Sequence, residues 1–292
     1  MTFAISSKDL RVDISQPGHL YSGTRFDWNG LVAQVSLDGS HTYCAYESNI
    51  PMTGSGGLGL CNAFMGMMED NFDAVPVGGK FMCVGIGNAV KTGGKYTFMT
   101  PYPVEPFGSR VTISEGNAVF EQESVPCNGF NYRMKKELTV NDNVLTIKTR
   151  LENTGERDIK TTEFNHNFVC LDGRPIGPDY ELALPYTPDI ERKAGEYHIG
   201  QKKITLAAAP KGNEDYFYFF VKNCKEAGDR HFWELTHKPS GVSMRETADF
   251  VPEALNVWGK SHVFSPEVFV GIDIAPGKAF EWTRKYEFFV KG

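Results

Sequence analysis

The residue types best suited to proton transfer are a histidine and a glutamate lying far apart in the chain. His166 stands in Thr161-Thr162-Glu163-Phe164-Asn165-His166-Asn167-Phe168-Val169-Cys170-Leu171-Asp172-Gly173, between two asparagines in a strand-like run that ends in an Asp-Gly turn. An imidazole titrates at about 6.5 when unperturbed, so it can give and recover a proton near neutrality. On a strand it shares a face with Phe164, Phe168 and Cys170, which suits a satisfied core histidine as well as one at a pocket. Glu267 lies in Val257-Trp258-Gly259-Lys260-Ser261-His262-Val263-Phe264-Ser265-Pro266-Glu267-Val268-Phe269. It shares the face of Ser265, Phe269 and Asp273, opposite Val268, Val270, Ile272 and Ile274, where either a base or a solvated carboxylate can sit. Pro266 just before it cannot donate to a ladder, which marks a strand start, bulge or edge where a side chain can be re-aimed.

Other polar residues are candidates to hold a ligand. Arg25, in Gly23-Thr24-Arg25-Phe26-Asp27-Trp28, could reach a ligand, pair with Asp27 or lie at the surface. Lys91 and Lys95 flank Gly93-Gly94 and read as hydroxyl ligands or as solvated loop lysines. Asn165, Asp172 and Asp179 could supply hydrogen bonds and Trp258 a flat stacking ring, with turn or core duty as the alternative for each.

The elements that must position these groups are strands. Period-2 alternation bounded by Gly, Asn and Pro recurs from end to end, while apolar spacing at three and four residues is nearly absent. In 135–153, Leu145, Ile147, Thr149 and Leu151 share one face and Thr146, Lys148, Arg150 and Glu152 the other. Turn signals at Asn29-Gly30, Glu115-Gly116-Asn117, Asn141-Asp142-Asn143 and Pro276-Gly277 predict hairpins, the first joining Phe26-Asp27-Trp28 to Leu31–Leu37. One short helix is expected near 60–69, where Phe64 and Met68 share a face. The Gly- and Pro-rich stretches at 53–59, 75–80, 91–95 and 173–178 are too short for interdomain linkers, and no fixed-period repeat is present. The expectation is one domain over residues 1–292, a large antiparallel β-sandwich, in preference to two smaller β domains.

Composition narrows the function classes. The 292 residues, 41% hydrophobic, suffice for a large core, and a net charge of −6 with no basic run leaves no footprint for nucleic acid. Cys44, Cys61, Cys83, Cys127, Cys170 and Cys224 form no CxxC pair and no metal-ligand spacing with histidine, so they read as buried thiols. The longest apolar run, 216–221, falls far short of the ~20 residues of a membrane helix, so no membrane role is expected. The first ten residues show neither a basic nor an apolar leader region, and the cytoplasm is the expected compartment.

The two motifs together carry a resemblance. The run around His166 resembles the Asn-His-x-Tyr/Phe-x-Asn-Leu-x-Gly strand of galactose mutarotases and their relatives. The segment from Val257 to Phe269, followed by Ile274-Ala275-Pro276-Gly277 and Trp282-Thr283-Arg284-Lys285-Tyr286, is similar to that superfamily's closing module. The resemblance to the aldose 1-epimerase (galactose mutarotase-like) superfamily implies a supersandwich fold and interconversion of sugar anomers. It makes His166 the acid at the ring oxygen and Glu267 the base at the anomeric hydroxyl, set on opposite sides of one pyranose. It also implies Arg25 as a substrate contact and a free or phosphorylated sugar as the ligand; Asn165, Asp172, Lys91 and Trp258 are the further candidate contacts, and this acid-base chemistry needs no metal or organic cofactor. The Leu-His-Gly segment that carries an earlier histidine in galactose mutarotases has no counterpart between Tyr43 and Tyr102. A non-catalytic carbohydrate-binding protein is therefore the alternative from another class. Glycoside cleavage ranks below both, since Glu267 has no evident second carboxylate across a scissile bond.

Overall fold

Apolar side chains at every second position can all be buried only where successive residues point to opposite faces. The chain accordingly runs through antiparallel strands from Thr2–Ser6 to Ala279–Val290. The structure, a computed structural model, describes residues 2–50, 55–212, 215–228 and 232–292, so the stretch at 53–59 lies partly outside the described residues. Two ten-stranded sheets dominate. The first runs Thr2–Ser6, Leu10–Ser15, Val32–Leu37, Leu60–Met65, Ile159–Asn167, Val263–Ile274, Ala254–Lys260, Phe217–Val221, Ile190–Ala194, with His41–Thr42 paired to Val32–Leu37. The second runs Tyr197–Ile199, Lys203–Leu206, Tyr180–Ala183, Trp233–His237, Val242–Ala248, Ala279–Val290, Val144–Asn153, Tyr132–Asn141, Asn117–Glu123, Ser109–Ser114. Among the described residues a small sheet of Lys80–Cys83, Gly87–Val90 and Val104–Pro106 completes the set. The fold is a large antiparallel β-sandwich, as the alternation predicts.

The main core joins the two large sheets: Val12, Val35, Phe219, Val257 and Val268 of the first cluster with Leu138, Leu145, Leu235, Met244 and Phe288 of the second. The alternation expected over 135–153 is the observed one, with Leu145, Ile147, Thr149 and Leu151 all buried. A separate cluster lies on the other face of the first sheet, where Phe26, Cys61, Ala63, Phe164 and Phe168 pack with Phe72, Phe81 and Tyr102. That second face carries the cavity described below. Among the described residues no helix is long and apolar enough to cross a membrane.

Three local expectations change. Residues Leu60–Met65 form a strand, and the helix is Met67–Asp73, displaced because Gly66 takes a positive φ of 85° that breaks the strand. Glu69 then reaches back to accept the Gly66 N–H at 2.6 Å, which fixes the helix start. Phe26-Asp27-Trp28 does not pair with Val32–Leu37 across Asn29-Gly30. The Asp27 carboxylate is held instead by the buried Lys136 ammonium at 2.6 Å, and the Asp27 N–H donates to the Asn62 carbonyl. Pro276-Gly277 joins Val263–Ile274 to Ala279–Val290, which belong to different sheets, so that turn is a crossover rather than a hairpin.

Candidate active site

The site is built on three neighbouring strands of the first sheet. Phe164 pairs with Phe269 and Val169 bridges Phe264, so the register between them sets His166 directly opposite Glu267. Cys61 lies across from His166 on one side and Asn256 across from Glu267 on the other, extending a single cross-strand row. The next row contains Ser265, Trp258 and Tyr218. Residues in such rows present their side chains to one face, so strand pairing alone gathers groups that are distant in the chain.

His166 Nε2 lies 3.2 Å from Glu267 Oε1, and His166 Nδ1 lies 2.8 Å from Ser265 Oγ. The imidazole stacks on the Phe168 ring with centroids 4.1 Å apart, and Trp258 meets it edge-on at 5.8 Å. These contacts fix its plane. Burial pushes the His166 pKa well below 6.5, and the nearby Arg25 charge acts in the same direction. Burial raises Glu267 to about 7, against the pull of Arg25 and of a hydrogen bond with Ser265. The Glu267 carboxyl thus faces an uncharged imidazole at hydrogen-bond range, and the pair can hold one mobile proton near neutral pH. The Ser265 hydroxyl can donate or accept, so it can serve either tautomer of the ring.

The two groups open into a cavity of about 500 Å³ that Arg25, Trp258, Glu47, Glu69, Tyr96, Phe98, Tyr218 and Asn256 also line. Arg25 does not pair with Asp27. Its Nη1 lies 3.2 Å from Glu47 Oε1 and donates to Ser55 Oγ at 2.9 Å, and its guanidinium covers the Phe98 ring at 4.3 Å. Glu47 is itself held by the Ser55 hydroxyl at 2.6 Å and the Gly57 N–H at 3.2 Å.

Of the residues singled out in the sequence, His166, Glu267, Arg25 and Trp258 therefore line one cavity, and Asn165, Asp172, Lys91, Lys95 and Asp179 do not. Asn165 neighbours His166 on a strand and so points to the opposite face. There its amide donates to Glu246 Oε2 at 2.8 Å and to the Tyr286 hydroxyl at 2.7 Å. Asp172, at a positive φ of 54°, accepts the Thr42 N–H at 2.9 Å and pairs with His41 at 3.0 Å, away from the cavity. Lys91 is buried against the end of the helix Met67–Asp73, where its ammonium donates to the Phe72 and Val75 carbonyls at 2.9 Å each. The placement on opposite sides of a ring also changes. Adjacent strands in register set His166 and Glu267 side by side, not across the hollow.

The reverse face explains how Glu267 is held. Regular pairing of Ile159–Asn167 with Val263–Ile274 stops after Phe164 and Phe269, and Pro266 has no N–H to continue it. Side chains fill the gap: Asn165 Oδ1 accepts the Val268 N–H at 2.8 Å, and Asn167 donates to the Pro266 carbonyl at 3.0 Å. Arg284 donates to the Val268 carbonyl at 2.9 Å. The peptide units on both sides of Glu267 are therefore fixed by buried polar side chains. Ser265 was legible from its shared face with Glu267. Glu47, Tyr96 and Phe98 come from irregular segments whose sequence carries no periodicity to reveal them.

No protein-family model matches the chain, and no curated protein sequence matches it. Solved structures do. A GalM/aldose epimerase homologue from C. elegans superposes with a TM-score of 0.62 at 12% identity, covering 100% of this chain and 99% of the other. A galactose mutarotase related enzyme from Lactobacillus acidophilus gives 0.60 at 11% identity, with full coverage of both chains. A galactose mutarotase-like protein from Clostridium acetobutylicum gives 0.61 at 11% identity, over 99% of this chain and 95% of that one. At such identities the likeness is one of fold: this chain has the fold of galactose mutarotase-like proteins.

Proposed function

We propose that the chain is an aldose 1-epimerase-like isomerase in which His166 and Glu267 together move the protons of anomer exchange. The observation that carries this reading is their contact at 3.2 Å on the floor of a ligand-sized cavity. In a cyclic hemiacetal the ring oxygen and the anomeric hydroxyl are bonded to the same carbon, so a donor and an acceptor side by side can reach both. One member of the pair takes the proton of the anomeric O–H while the other delivers its proton to the ring oxygen. The C1–O5 bond breaks, C1 becomes an aldehyde carbonyl, and the pair retains one proton. Rotation about C1–C2 and the reverse transfers close the ring as either anomer. Trp258 stands edge-on to the imidazole and Ser265 bonds its second nitrogen, which supports a fixed orientation for the transfer.

Two-dimensional exchange NMR of reducing sugars tests this. The wild-type chain should accelerate anomer interconversion, and His166→Ala and Glu267→Gln should each lower the rate by about 10²–10⁴-fold with the fold retained. Wild-type rates in both variants would reject the assignment. The missing earlier histidine favours the second reading, a carbohydrate-binding protein without catalysis. That reading gives saturable sugar binding with no rate enhancement by the wild-type chain.

A further inference from the structure

Building on the sugar-site reading, we infer that this cavity takes an uncharged reducing sugar bearing a second ring or a comparable apolar-faced substituent, and that it discriminates against sugar phosphates. The first argument is charge. Among the described lining residues Arg25 is the one guanidinium and no lysine joins it, whereas Glu47 and Glu69 line the same space. Arg25 is also matched by Glu47 at 3.2 Å. A phosphate dianion is ordinarily met by unmatched cations or by free N–H groups. Here the Gly66 N–H just before the helix Met67–Asp73 is already taken by Glu69, whose carboxylate adds its own negative charge to the wall.

The second argument is the mouth of the cavity. Met65, Phe98 and Tyr216 are 41%, 49% and 47% exposed and all line it, an unusual concentration of accessible apolar side chains on one rim. Deeper in, Tyr218 and Trp258 occupy the row beside the His166–Glu267 pair. A sugar ring presents C–H faces that pack on aromatic rings. A first ring seated against His166 and Glu267 therefore leaves the rim rings for a second. The volume of about 500 Å³ is that of a site for a drug-sized ligand and exceeds the need of a lone pyranose.

Exchange NMR on matched probes decides the matter: glucose, glucose 6-phosphate, and the disaccharides maltose, cellobiose and melibiose, which carry the second ring on O4 in α or β linkage or on O6. At least one disaccharide should exceed glucose in kcat/KM by roughly fivefold or more, the gain expected of one or two ring contacts. Glucose 6-phosphate should fall below glucose by about tenfold or more through like-charge repulsion. Phe98→Ala and Tyr216→Ala should reduce the disaccharide rate more than the glucose rate, and Glu69→Gln should narrow the gap between glucose and its phosphate. A phosphate equal to or faster than glucose, or disaccharides all equal to or slower than glucose, overturns the inference while leaving the isomerase reading standing. If no sugar is accelerated the isomerase reading fails, and calorimetric affinities for the same probes then decide: the same order upholds the inference, and a reversed order or no binding refutes it.

Discussion

Two buried polar clusters sit back to back on the strand Ile159–Asn167, one on each face, and they differ in how completely their charges are met. Toward the second sheet, Glu163 accepts from Asn62 and from Arg284, the latter at 2.6 Å. Glu246 accepts from Arg284 at 2.8 Å, from Trp233 at 2.7 Å and from Asn165 at 2.8 Å. Burial would lower the Arg284 pKa, yet the two carboxylates outweigh it and hold the guanidinium charged. On the cavity face, Glu267 meets an uncharged imidazole and a serine hydroxyl, and its proton stays on until about pH 7. Both clusters are buried, so burial does not mark the functional one. What separates them is that the carboxylates of one share a cation and are saturated with donors, although burial still raises Glu246 and Arg284 Nε has no hydrogen-bond partner among the described residues, while the other leaves a proton to be moved.

The largest effect should come from breaking the saturated side. Arg284→Ala leaves Glu163 and Glu246 buried without their cation, and truncating one partner of such a network costs about 3–5 kcal/mol. Urea unfolding should register that loss, or the variant should yield no folded protein. Glu267→Gln should act with the opposite sign at neutral pH, because it removes a carboxyl that ionises at a cost. An Arg284→Ala variant destabilised by less than ~1 kcal/mol would erase the distinction between the two faces.

The same alternation that made the fold legible also separates these faces. Strands, antiparallel pairing and the sandwich follow from period-2 burial, which needs no knowledge of distant contacts, as in the row Leu145, Ile147, Leu151. It likewise set His166 with Phe164 and Phe168, and Glu267 with Ser265. Applied strictly it excludes Asn165 from any pocket that contains His166, since neighbours on a strand diverge. Lys91 and Asp172 were not legible in this way, because their partners, Phe72 and Val75 for one and His41 and Thr42 for the other, are brought together only by tertiary structure. The helix was misplaced by several residues because Phe64 and Met68 fit a helical face, while the Gly66 break is a backbone event that a pattern of apolar positions does not report.

A smaller and more selective effect is the pH dependence of the unsaturated side. Glu267 is raised from 4.5 to about 7 in the folded chain, so between these values the unfolded state has released a proton that the native state keeps. Stability attributable to Glu267 is thus fully present below about 4.5 and is lost as pH rises to about 7, by roughly 3 kcal/mol in all. Unfolding free energies of wild type and Glu267→Gln, measured from pH 4 to pH 8.5, should diverge over that window in favour of the variant. His166, lowered by burial, acts oppositely: its contribution is lost as pH falls below its unfolded pKa. Because the proposed reaction needs one proton on the pair, kcat/KM should decline as pH rises through about 7. Parallel stability curves for wild type and Glu267→Gln would remove the electrostatic contrast.

The smallest effect tests whether the two faces communicate. Asn165 belongs to the saturated cluster through Glu246 and Tyr286, yet its Oδ1 holds the Val268 N–H, one peptide from Glu267. Asn165→Ala should cost about 1–3 kcal/mol by leaving those buried groups unpaired. If the carboxyl depends on that anchored peptide, Asn165→Ala and Glu267→Gln will not add in a double-mutant cycle, and a coupling of about 0.5 kcal/mol or more is expected. Carbon-13 titration of the Glu267 carboxyl gives a readout that loss of overall stability would not move: in Asn165→Ala its midpoint should leave the wild-type value while the protein remains folded. Additive energies together with an unmoved midpoint would mean that the saturated face holds the sheets together without positioning the pair on the other side.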